Sequence, residues 1–194
     1  MNQNKLYIIS GCNGAGKTTA SYNVLPEILE CKEFVNADEI AKGLSPFQPE
    51  AVSIEAGRIM LQRINDLLDQ NKSFAFETTL STKSYKNKIK LAQSKGYRVV
   101  LLFFWLQNVS LAKQRVAIRV EEGGHNIDDT IIERRYFGGI KNLFDIYIPL
   151  VDDVMIFDNS EGNYELVAEK GLYNEIEVVN FEKYNLIKSL YNEK

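Results

Sequence analysis

Residues 11–18 carry the most specific chemical pattern in this 194-residue sequence. The segment reads Gly-Cys-Asn-Gly-Ala-Gly-Lys-Thr and matches G-x-x-x-x-G-K-[ST] at every fixed position. Glycines at these positions let successive backbone N–H groups point into one concavity, where the dipole of a following helix adds positive potential. The pattern predicts a phosphate-binding loop whose cofactor-binding residues are Gly11, Asn13, Gly14, Ala15, Gly16, Lys17, Thr18 and Thr19.

The last two residues of this loop have separate predicted roles. The Lys17 side chain can reach the β- and γ-phosphates of a nucleotide and is assigned to catalysis, whereas the Thr18 hydroxyl is placed to ligate Mg²⁺. A chance glycine turn is the alternative. A strand-like segment precedes the loop and a helical one follows it, and this context favours nucleotide binding, with ATP and Mg²⁺ as cofactors.

Asp38 follows the second predicted strand directly. Ligands of open α/β sheets bind at the carboxyl ends of strands, so a carboxylate here can accept the proton of an attacking hydroxyl. Helix capping is the alternative, since Asn36 and Glu39 have the spacing of a capping box and an Asp in the first turn suits the helix dipole. The box does not require Asp38, which we assign to catalysis as general base and to substrate binding.

Glu77 lies at the end of the third predicted strand, next to Thr78 and Thr79. A carboxylate at the tip of an apolar strand beside the phosphate loop can hold a Mg²⁺ water or a substrate hydroxyl. The alternative is a polar residue where a buried strand emerges into solvent. We predict Glu77 to be both metal-binding and substrate-binding, with Thr78 and Thr79 as further substrate-binding residues.

Four arginines lie in two consecutive predicted helices. Arg115 and Arg119 are four residues apart on one helix, and Arg134 and Arg135 lie in the first half of the next. Two helices joined by a flexible tip form a lid that closes over a triphosphate and neutralises developing charge. We assign Arg119 and Arg134 to catalysis and Arg115 and Arg135 to substrate binding. The alternative is a set of surface ion pairs, with the candidate partners Glu121, Glu122 and Glu133.

The single histidine and the two cysteines carry less chemistry. His125 follows two glycines at the predicted lid tip, and no neighbour in sequence would orient its imidazole as a base. Cys12 lies inside the phosphate loop, where a disulfide would stiffen a segment that must adapt to its ligand. We therefore expect Cys12 and Cys31 to be free thiols in a reducing compartment.

Strand-like and helix-like segments alternate along the chain. The predicted strands cover residues 6–10, 33–36, 73–78, 97–106 and 154–157. The predicted helices cover residues 17–30, 50–70, 82–95, 109–121, 128–147 and 181–191. Repeated β–α–β units require a parallel sheet with helices on both faces, because each crossover needs a helix to return the chain.

These segments predict an α/β fold of the P-loop type: a three-layer sandwich around a five-stranded parallel sheet. One domain covers residues 1–194, with a helical lid at about 109–148. A small C-terminal β/α appendage is expected at about 160–194, with strand-like segments at 165–168 and 175–179.

The charge and the apolar runs of the sequence limit its partners. With 23 basic and 26 acidic residues the net charge is −3, which argues against broad nucleic-acid binding. The longest apolar run, residues 99–106, is far shorter than the ~20 residues that span a bilayer. We expect a cytoplasmic protein without a membrane partner.

Marks of other P-loop classes are missing from the sequence. It contains no ABC-type signature such as LSGGQ, no apolar strand ending in Asp-Glu, and no guanine-selecting N-K-x-D. A small-molecule kinase needs little beyond the loop: an acid or base after the second strand, a metal-side carboxylate and an arginine lid. The sequence offers a candidate for each.

Taken together, the motifs resemble those of the zeta-toxin-like P-loop kinases, including short chromosomal members often described as predicted ATPases. The matching pieces are GCNGAGKTT, FVNADEIAKGLSP, AFETTLS, GYRVVLLFFWL, RVAIRVEEGGHNI with RRY after it, and FDNS. They span roughly residues 7–160, and their combination is more specific than the phosphate loop alone.

The resemblance implies a kinase that phosphorylates a sugar hydroxyl of a nucleotide-sugar, with UDP-N-acetylglucosamine as the best-known acceptor. It implies that the base falls on Asp38, the strand-end acid on Glu77, and the lid arginines on Arg119 and on Arg134 or Arg135. It also implies a dedicated small antitoxin protein that blocks the ATP site. The sequence departs from the plasmid-type toxins in having Glu-Thr-Thr where those have Glu-Gly-Thr.

Two other functions are compatible with the loop. A nucleic-acid 5′-hydroxyl kinase would need a basic groove, and the dense basic stretch at residues 83–95 reads more readily as a solvated helix face. An ATP-binding regulatory module without turnover would need only the fold and the loop, which by themselves do not establish activity. Our leading hypothesis is a kinase whose acceptor is a hydroxyl of a small sugar or nucleotide-sugar.

Overall fold

A computed structural model describes residues 3–24, 26, 29–124, 126–171 and 175–192. Within these residues seven strands form one sheet in the order β2-β3-β1-β4-β5-β6-β7. The strands are β1 Lys5–Gly11, β2 Phe34–Val35, β3 Phe74–Thr78, β4 Arg98–Trp105, β5 Asp153–Asp158, β6 Glu165–Lys170 and β7 Ile176–Val178. The helices are α1 Lys17–Val24, α2 Ala37–Leu44, α3 Ser53–Asp69, α4 Lys86–Ser94, α5 Val109–Glu121, α6 Asp129–Asn142, α7 Ile148–Leu150 and α8 Phe181–Asn192.

The first five strands are mutually parallel, which confirms the predicted α/β class and its P-loop architecture. β1 lies between β3 and β4, and the C-terminal ends of all three strands lie at nearly the same height in the sheet. Ser10 is opposite Thr78 on one side, and Gly11 is opposite Phe104 on the other. Because parallel strands end at the same edge of the sheet, the phosphate loop and the end of β3 meet there.

Burial explains why β1 and β4 are apolar almost throughout. Every residue of β4 after Arg98 is buried, as is every residue of β1 after Lys5. A central parallel strand has helices on both faces, so it has no solvent-facing side for polar residues. α3 covers this sheet with one apolar side, formed by Ala56, Met60, Ile64, Leu67 and Leu68.

The predicted C-terminal strands are present, but they extend the main sheet instead of forming a separate appendage. β6 pairs antiparallel with β5, and β7 pairs antiparallel with β6, so the expected five strands become seven. Only a short connection, residues 159–164, separates β5 from β6. A parallel return would need a crossover of a dozen or more residues, so this link permits only a reversal.

Several predicted helix ends differ from the structure. Residues 49–52 form a 3₁₀ turn before α3, and α4 begins at Lys86 instead of at residue 82. The long helix predicted at 128–147 is divided into α6 and a π-helical turn, Leu143–Tyr147. α1 is described to Val24, and Glu30, with a φ of 51°, lies outside it. No helix in the described part of the chain has the length and apolarity of a membrane span.

Two valines near the C-terminus test whether β6 is part of the core. Val167 of β6 is fully buried, whereas Val179, just after β7, is 55% exposed. We expect Val167→Ala to lower the free energy of unfolding by about 2 kcal/mol, since it leaves a cavity among packed side chains. Val179→Ala should change that free energy by less than about 0.5 kcal/mol. Urea unfolding followed by circular dichroism measures both, and equal effects would contradict this packing.

Candidate active site

The phosphate loop is held closely against the rest of the sheet. Gly11 and Gly16 have φ values of 140° and 80°, a region that side chains rarely adopt. A Cβ at Gly11 would lie 2.2 Å from the carbonyl oxygen of Phe104, and one at Gly16 would lie 2.5 Å from Nδ2 of Asn159. Glycine is therefore required at both positions by the backbone conformation and by the lack of space.

Asn159 fixes this loop from the turn after β5. Its Nδ2 donates a hydrogen bond of 3.0 Å to the carbonyl oxygen of Ala15, and the side chain is buried. Tyr164 OH, from the same turn, donates to the carbonyl oxygen of Gly16 at 3.3 Å. Sequence reasoning did not assign a role to either residue. The sequence feature that could have pointed to them is the polar segment at residues 159–164, which directly follows β5.

Lys17 and Glu77 form a buried ion pair below the loop. Lys17 Nζ lies 3.5 Å from Glu77 Oε1 and donates to the carbonyl oxygen of Cys12 at 2.9 Å. The side chains of Lys17 and Glu77 are only 7% and 9% exposed. Glu77 Oε2 accepts hydrogen bonds from Thr18 Oγ1 at 2.8 Å and from Asn36 Nδ2 at 3.0 Å. Glu77 thus joins the phosphate loop to the ends of β2 and β3.

Asn36 has a second contact that the sequence did not predict. As expected, it is the N-cap of α2, because its Oδ1 accepts from the backbone N–H of Asp38 at 2.8 Å. Glu39, the other member of the proposed capping box, forms an ion pair with Lys42. The amide of Asn36 therefore links the start of α2 to Glu77, and this bond holds Asp38 near the loop.

A cavity of about 260 Å³ opens at the carboxyl ends of β2 and β3. Its wall includes five charged residues that come from distant parts of the sequence: Lys17, Asp38, Glu77, Arg134 and Arg135. Thr78 and Thr79 also line it, with Ser81, Thr82 and Tyr85. The structure thus places most of the predicted acceptor-side residues around one space.

The four arginines occupy three environments. Arg134 and Arg135 line the 260 Å³ cavity, and Arg135 Nη1 donates to Oδ1 of Asn13 in the phosphate loop at 3.1 Å. Arg119 lines an adjoining cavity of about 370 Å³, which Asp38 also borders. Arg115 lies against the loop at Gly14, and its Nη2 donates to the carbonyl oxygen of Ser160 at 2.9 Å.

The charge environment of Arg135 is mixed. Burial lowers the pKa of its guanidinium, the Asp38 carboxylate acts against this, and the positive charge of Arg134 lowers that pKa further. The Arg135 guanidinium thus faces both a carboxylate and a second cation. Among the glutamates proposed as arginine partners, Glu133 pairs with Lys113.

The remaining predicted residues are less informative. Thr19 is exposed on α1. His125, expected at the lid tip, lies outside the described residues. Within the described residues, the wall of the 260 Å³ cavity includes none of the lysines at residues 83–95. These lysines therefore do not form a basic groove at this cavity, as a nucleic-acid kinase would need.

Comparisons with known proteins give a family match and a similar sequence. The family model described as Zeta toxin matches residues 2–168. An uncharacterized protein of Haemophilus influenzae is 32% identical over 135 residues, which cover 69% of this chain and 94% of that protein.

Solved structures resemble the fold at lower identity. A chain of the AvrRxo1-ORF1:AvrRxo1-ORF2 complex superposes with a TM-score of 0.80 at 21% identity. The match covers 97% of this chain and 64% of that one, so this chain spans less than two thirds of its length. A protein of the PezAT chromosomal toxin–antitoxin system of Streptococcus pneumoniae has a TM-score of 0.67 at 18% identity, covering 100% of this chain and 88% of that one.

The buried ion pair predicts a specific pattern of stability. Removing Lys17 alone leaves the Glu77 carboxylate buried without its cation, so we expect Lys17→Met to cost about 3 kcal/mol of unfolding free energy. Adding Glu77→Gln removes the unpaired charge and should restore most of that loss, while ATP binding stays weak. Chemical unfolding and nucleotide titration measure the two effects. A double variant no more stable than Lys17→Met would contradict the pairing.

The cysteines allow a second test. Both are free thiols, as predicted. Burial raises the pKa of Cys12 to about 11, although Lys17 acts in the opposite direction, and burial also raises the pKa of Cys31. Because the thiolate is the reactive form, iodoacetamide at neutral pH should modify the folded protein slowly and the urea-unfolded protein quickly. Intact-protein mass spectrometry follows both reactions, and rapid labelling of Cys12 in the folded state would contradict its burial.

Proposed function

Because the chain belongs to the zeta toxin family, we propose that it is a kinase that transfers the γ-phosphoryl group of ATP to a hydroxyl of a small molecule. The observation that carries this proposal is the single cavity that Lys17, Asp38 and Arg135 line together. A phosphate-binding lysine, a carboxylate and arginines around one space are the parts that phosphoryl transfer needs, since its catalysis is mainly positioning and charge neutralisation.

In this proposal each side chain has a defined task. Asp38 accepts the proton of the attacking hydroxyl, and its exposed position at the rim of the cavity leaves it accessible to an acceptor. Lys17 leaves its ion pair with Glu77 to contact the phosphates. Arg134 and Arg135, both on α6, neutralise the charge on the transferred phosphoryl group. We keep Arg119, beside Asp38 in the adjoining cavity, as a further catalytic arginine.

The nucleotide side of the site fits ATP with Mg²⁺. The Thr18 hydroxyl and the Glu77 carboxylate are 2.8 Å apart, and both are hard oxygen donors of the type that Mg²⁺ prefers. Mg²⁺ takes most of its ligands from water and phosphate, so these two side chains would be enough to hold it, and when bound it would supply charge neutralisation. The AvrRxo1-ORF1:-ORF2 complex with ATP, a similar fold with a TM-score of 0.78, supports ATP as the nucleotide.

For the acceptor we propose a sugar or a nucleotide-sugar such as UDP-N-acetylglucosamine. The hydroxyls of Thr79, Ser81 and Thr82 line the cavity, and such groups match a ligand rich in hydroxyls. At about 260 Å³ the cavity lies just below the ~300–1,000 Å³ of typical small-molecule pockets. It therefore suits one sugar ring, with the rest of a larger acceptor lying outside.

We also propose that a small antitoxin protein controls this site. The support comes from two similar structures, one a complex of AvrRxo1-ORF1 with AvrRxo1-ORF2 and the other from a toxin–antitoxin system. The two free thiols of this chain suit the reducing cytoplasm, where such a pair would act.

The test is transfer of phosphate from ATP to a panel of UDP-sugars, free sugars, nucleosides and 5′-hydroxyl oligonucleotides, with products identified by mass spectrometry. We expect Asp38→Asn to slow transfer by about 10²- to 10⁴-fold, the contribution of a general base, with little change in ATP affinity. Glu39→Gln, a neighbouring carboxylate that pairs with Lys42, is the matched control and should keep wild-type rates.

Three results would overturn parts of this proposal. Undiminished transfer in Asp38→Asn would remove the base assignment. Transfer to oligonucleotides alone would favour a nucleic-acid kinase. Tight ATP binding without turnover on any acceptor would favour a regulatory module.

A further inference from the structure

The loop after β3, residues 79–82, has an unusual backbone. We call it the acceptor loop, because Thr79, Ser81 and Thr82 line the 260 Å³ cavity. Leu80 at its centre has a φ of 60° and a fully buried side chain. A bulky residue rarely adopts this left-handed conformation, and it persists only where surrounding contacts determine it. The contacts around Leu80 therefore decide the shape of this wall of the cavity.

Helix α6 supplies those contacts. Asn142 Nδ2 donates a buried hydrogen bond of 2.8 Å to the carbonyl oxygen of Leu80. One turn earlier, Gly139 packs so closely that a Cβ there would lie 2.8 Å from the carbonyl oxygen of Thr79. Beyond the helix end, Tyr147 OH donates to the carbonyl oxygen of Thr82 at 2.6 Å. Three of the four backbone carbonyl groups of the acceptor loop, those of Thr79, Leu80 and Thr82, are thus contacted from this side.

The same face of α6 also contacts the phosphate loop. Arg135, Gly139 and Asn142 are spaced by four and three residues, so they lie along one side of the helix. Arg135 bonds Asn13 of the phosphate loop, whereas Gly139 and Asn142 contact the acceptor loop. One rigid helix face therefore fixes the distance between the two loops that would hold the two substrates.

We propose that Gly139 and Asn142 are positioning residues for the acceptor. They hold residues 79–82 in the conformation that presents their hydroxyls to the cavity, in register with Arg134 and Arg135 on the same helix. The inference rests on the proposed function, because it takes this cavity as the acceptor site. Gly139 and Asn142 are buried and touch neither substrate, yet they set where the acceptor lies. Any movement of α6 would therefore also move the acceptor loop.

Adjacent glycines give this inference a matched pair of variants. Gly138→Ala and Gly139→Ala each add a methyl group to the middle of α6 and raise helix propensity equally. At Gly138 the new Cβ meets Ser81 Cβ at 3.5 Å, an ordinary contact, whereas at Gly139 it meets the Thr79 carbonyl oxygen at 2.8 Å. Only the second variant should displace the acceptor loop.

The kinetic test uses UDP-N-acetylglucosamine, or whichever panel member the wild-type enzyme phosphorylates. Misplacement by about 1 Å can cost as much as 10²-fold, so we expect Gly139→Ala to lower kcat/KM for the acceptor by about 10- to 100-fold. The dissociation constant for ATP should stay within about twofold, since the phosphate loop itself is unchanged. Gly138→Ala should match wild type in both. Equal kinetics of the two variants would overturn the proposal.

Native-state hydrogen exchange tests the same point without any acceptor. In peptides covering residues 79–85, the backbone amides should exchange faster in Gly139→Ala and in Asn142→Ala than in wild type. Their exchange rates in Gly138→Ala should equal those of wild type. Asn142→Ala keeps the test open if Gly139→Ala does not fold. If wild type phosphorylates no panel member, the proposed function fails while exchange still decides the positioning. Unaltered exchange at residues 79–85 in both Gly139→Ala and Asn142→Ala would overturn it.

Discussion

The buried carboxylate of Glu77 is the interaction on which the arrangement of this site depends. A charge with so little access to water must be paired and hydrogen-bonded, and here Lys17, Thr18 and Asn36 all satisfy it. These partners come from the phosphate loop, from the first turn of α1 and from the end of β2. The register of β3 along β1, which sets Glu77 opposite Ile9, makes this meeting possible. The position of α2, and with it Asp38, then follows from Asn36.

Charges around the cavity are arranged in layers. The ion pair of Lys17 with Glu77 lies at its base, Asp38 stands at the rim, and Arg134 and Arg135 approach from α6. A nucleotide that engages Lys17 must compete with Glu77, and the released carboxylate stays beside the Thr18 hydroxyl. In the proposed function, ATP binding would therefore exchange one set of charged contacts for another without leaving the Glu77 carboxylate against an apolar wall.

The sequence predicted those features that depend on local pattern. The spacing from Gly11 to Thr18 identified the loop, and strand ends at Asp38 and Glu77 pointed to the cavity because parallel strands finish at one edge.

Features set by distant contacts were missed. The second bond of Asn36, the support from Asn159 and the docking of α6 on residues 79–82 each join segments far apart in sequence. The direction of β6 was also missed, since it follows from a short connection and not from strand pattern. Arg115 and Arg119 share a helix face by spacing, yet Arg115 contacts Ser160 and Arg119 borders the adjoining 370 Å³ cavity, which Asp38 also lines.

The central claim is that the 260 Å³ cavity is the acceptor side of the phosphate loop. A crystal structure with Mg²⁺ and the non-hydrolysable β,γ-imido analogue of ATP tests it most directly. We predict that the γ-phosphate contacts Lys17 Nζ and points into the cavity, with the Asp38 carboxylate facing the same space. A triphosphate that leaves the loop in another direction, with Asp38 remote from its terminal phosphate, would contradict the claim.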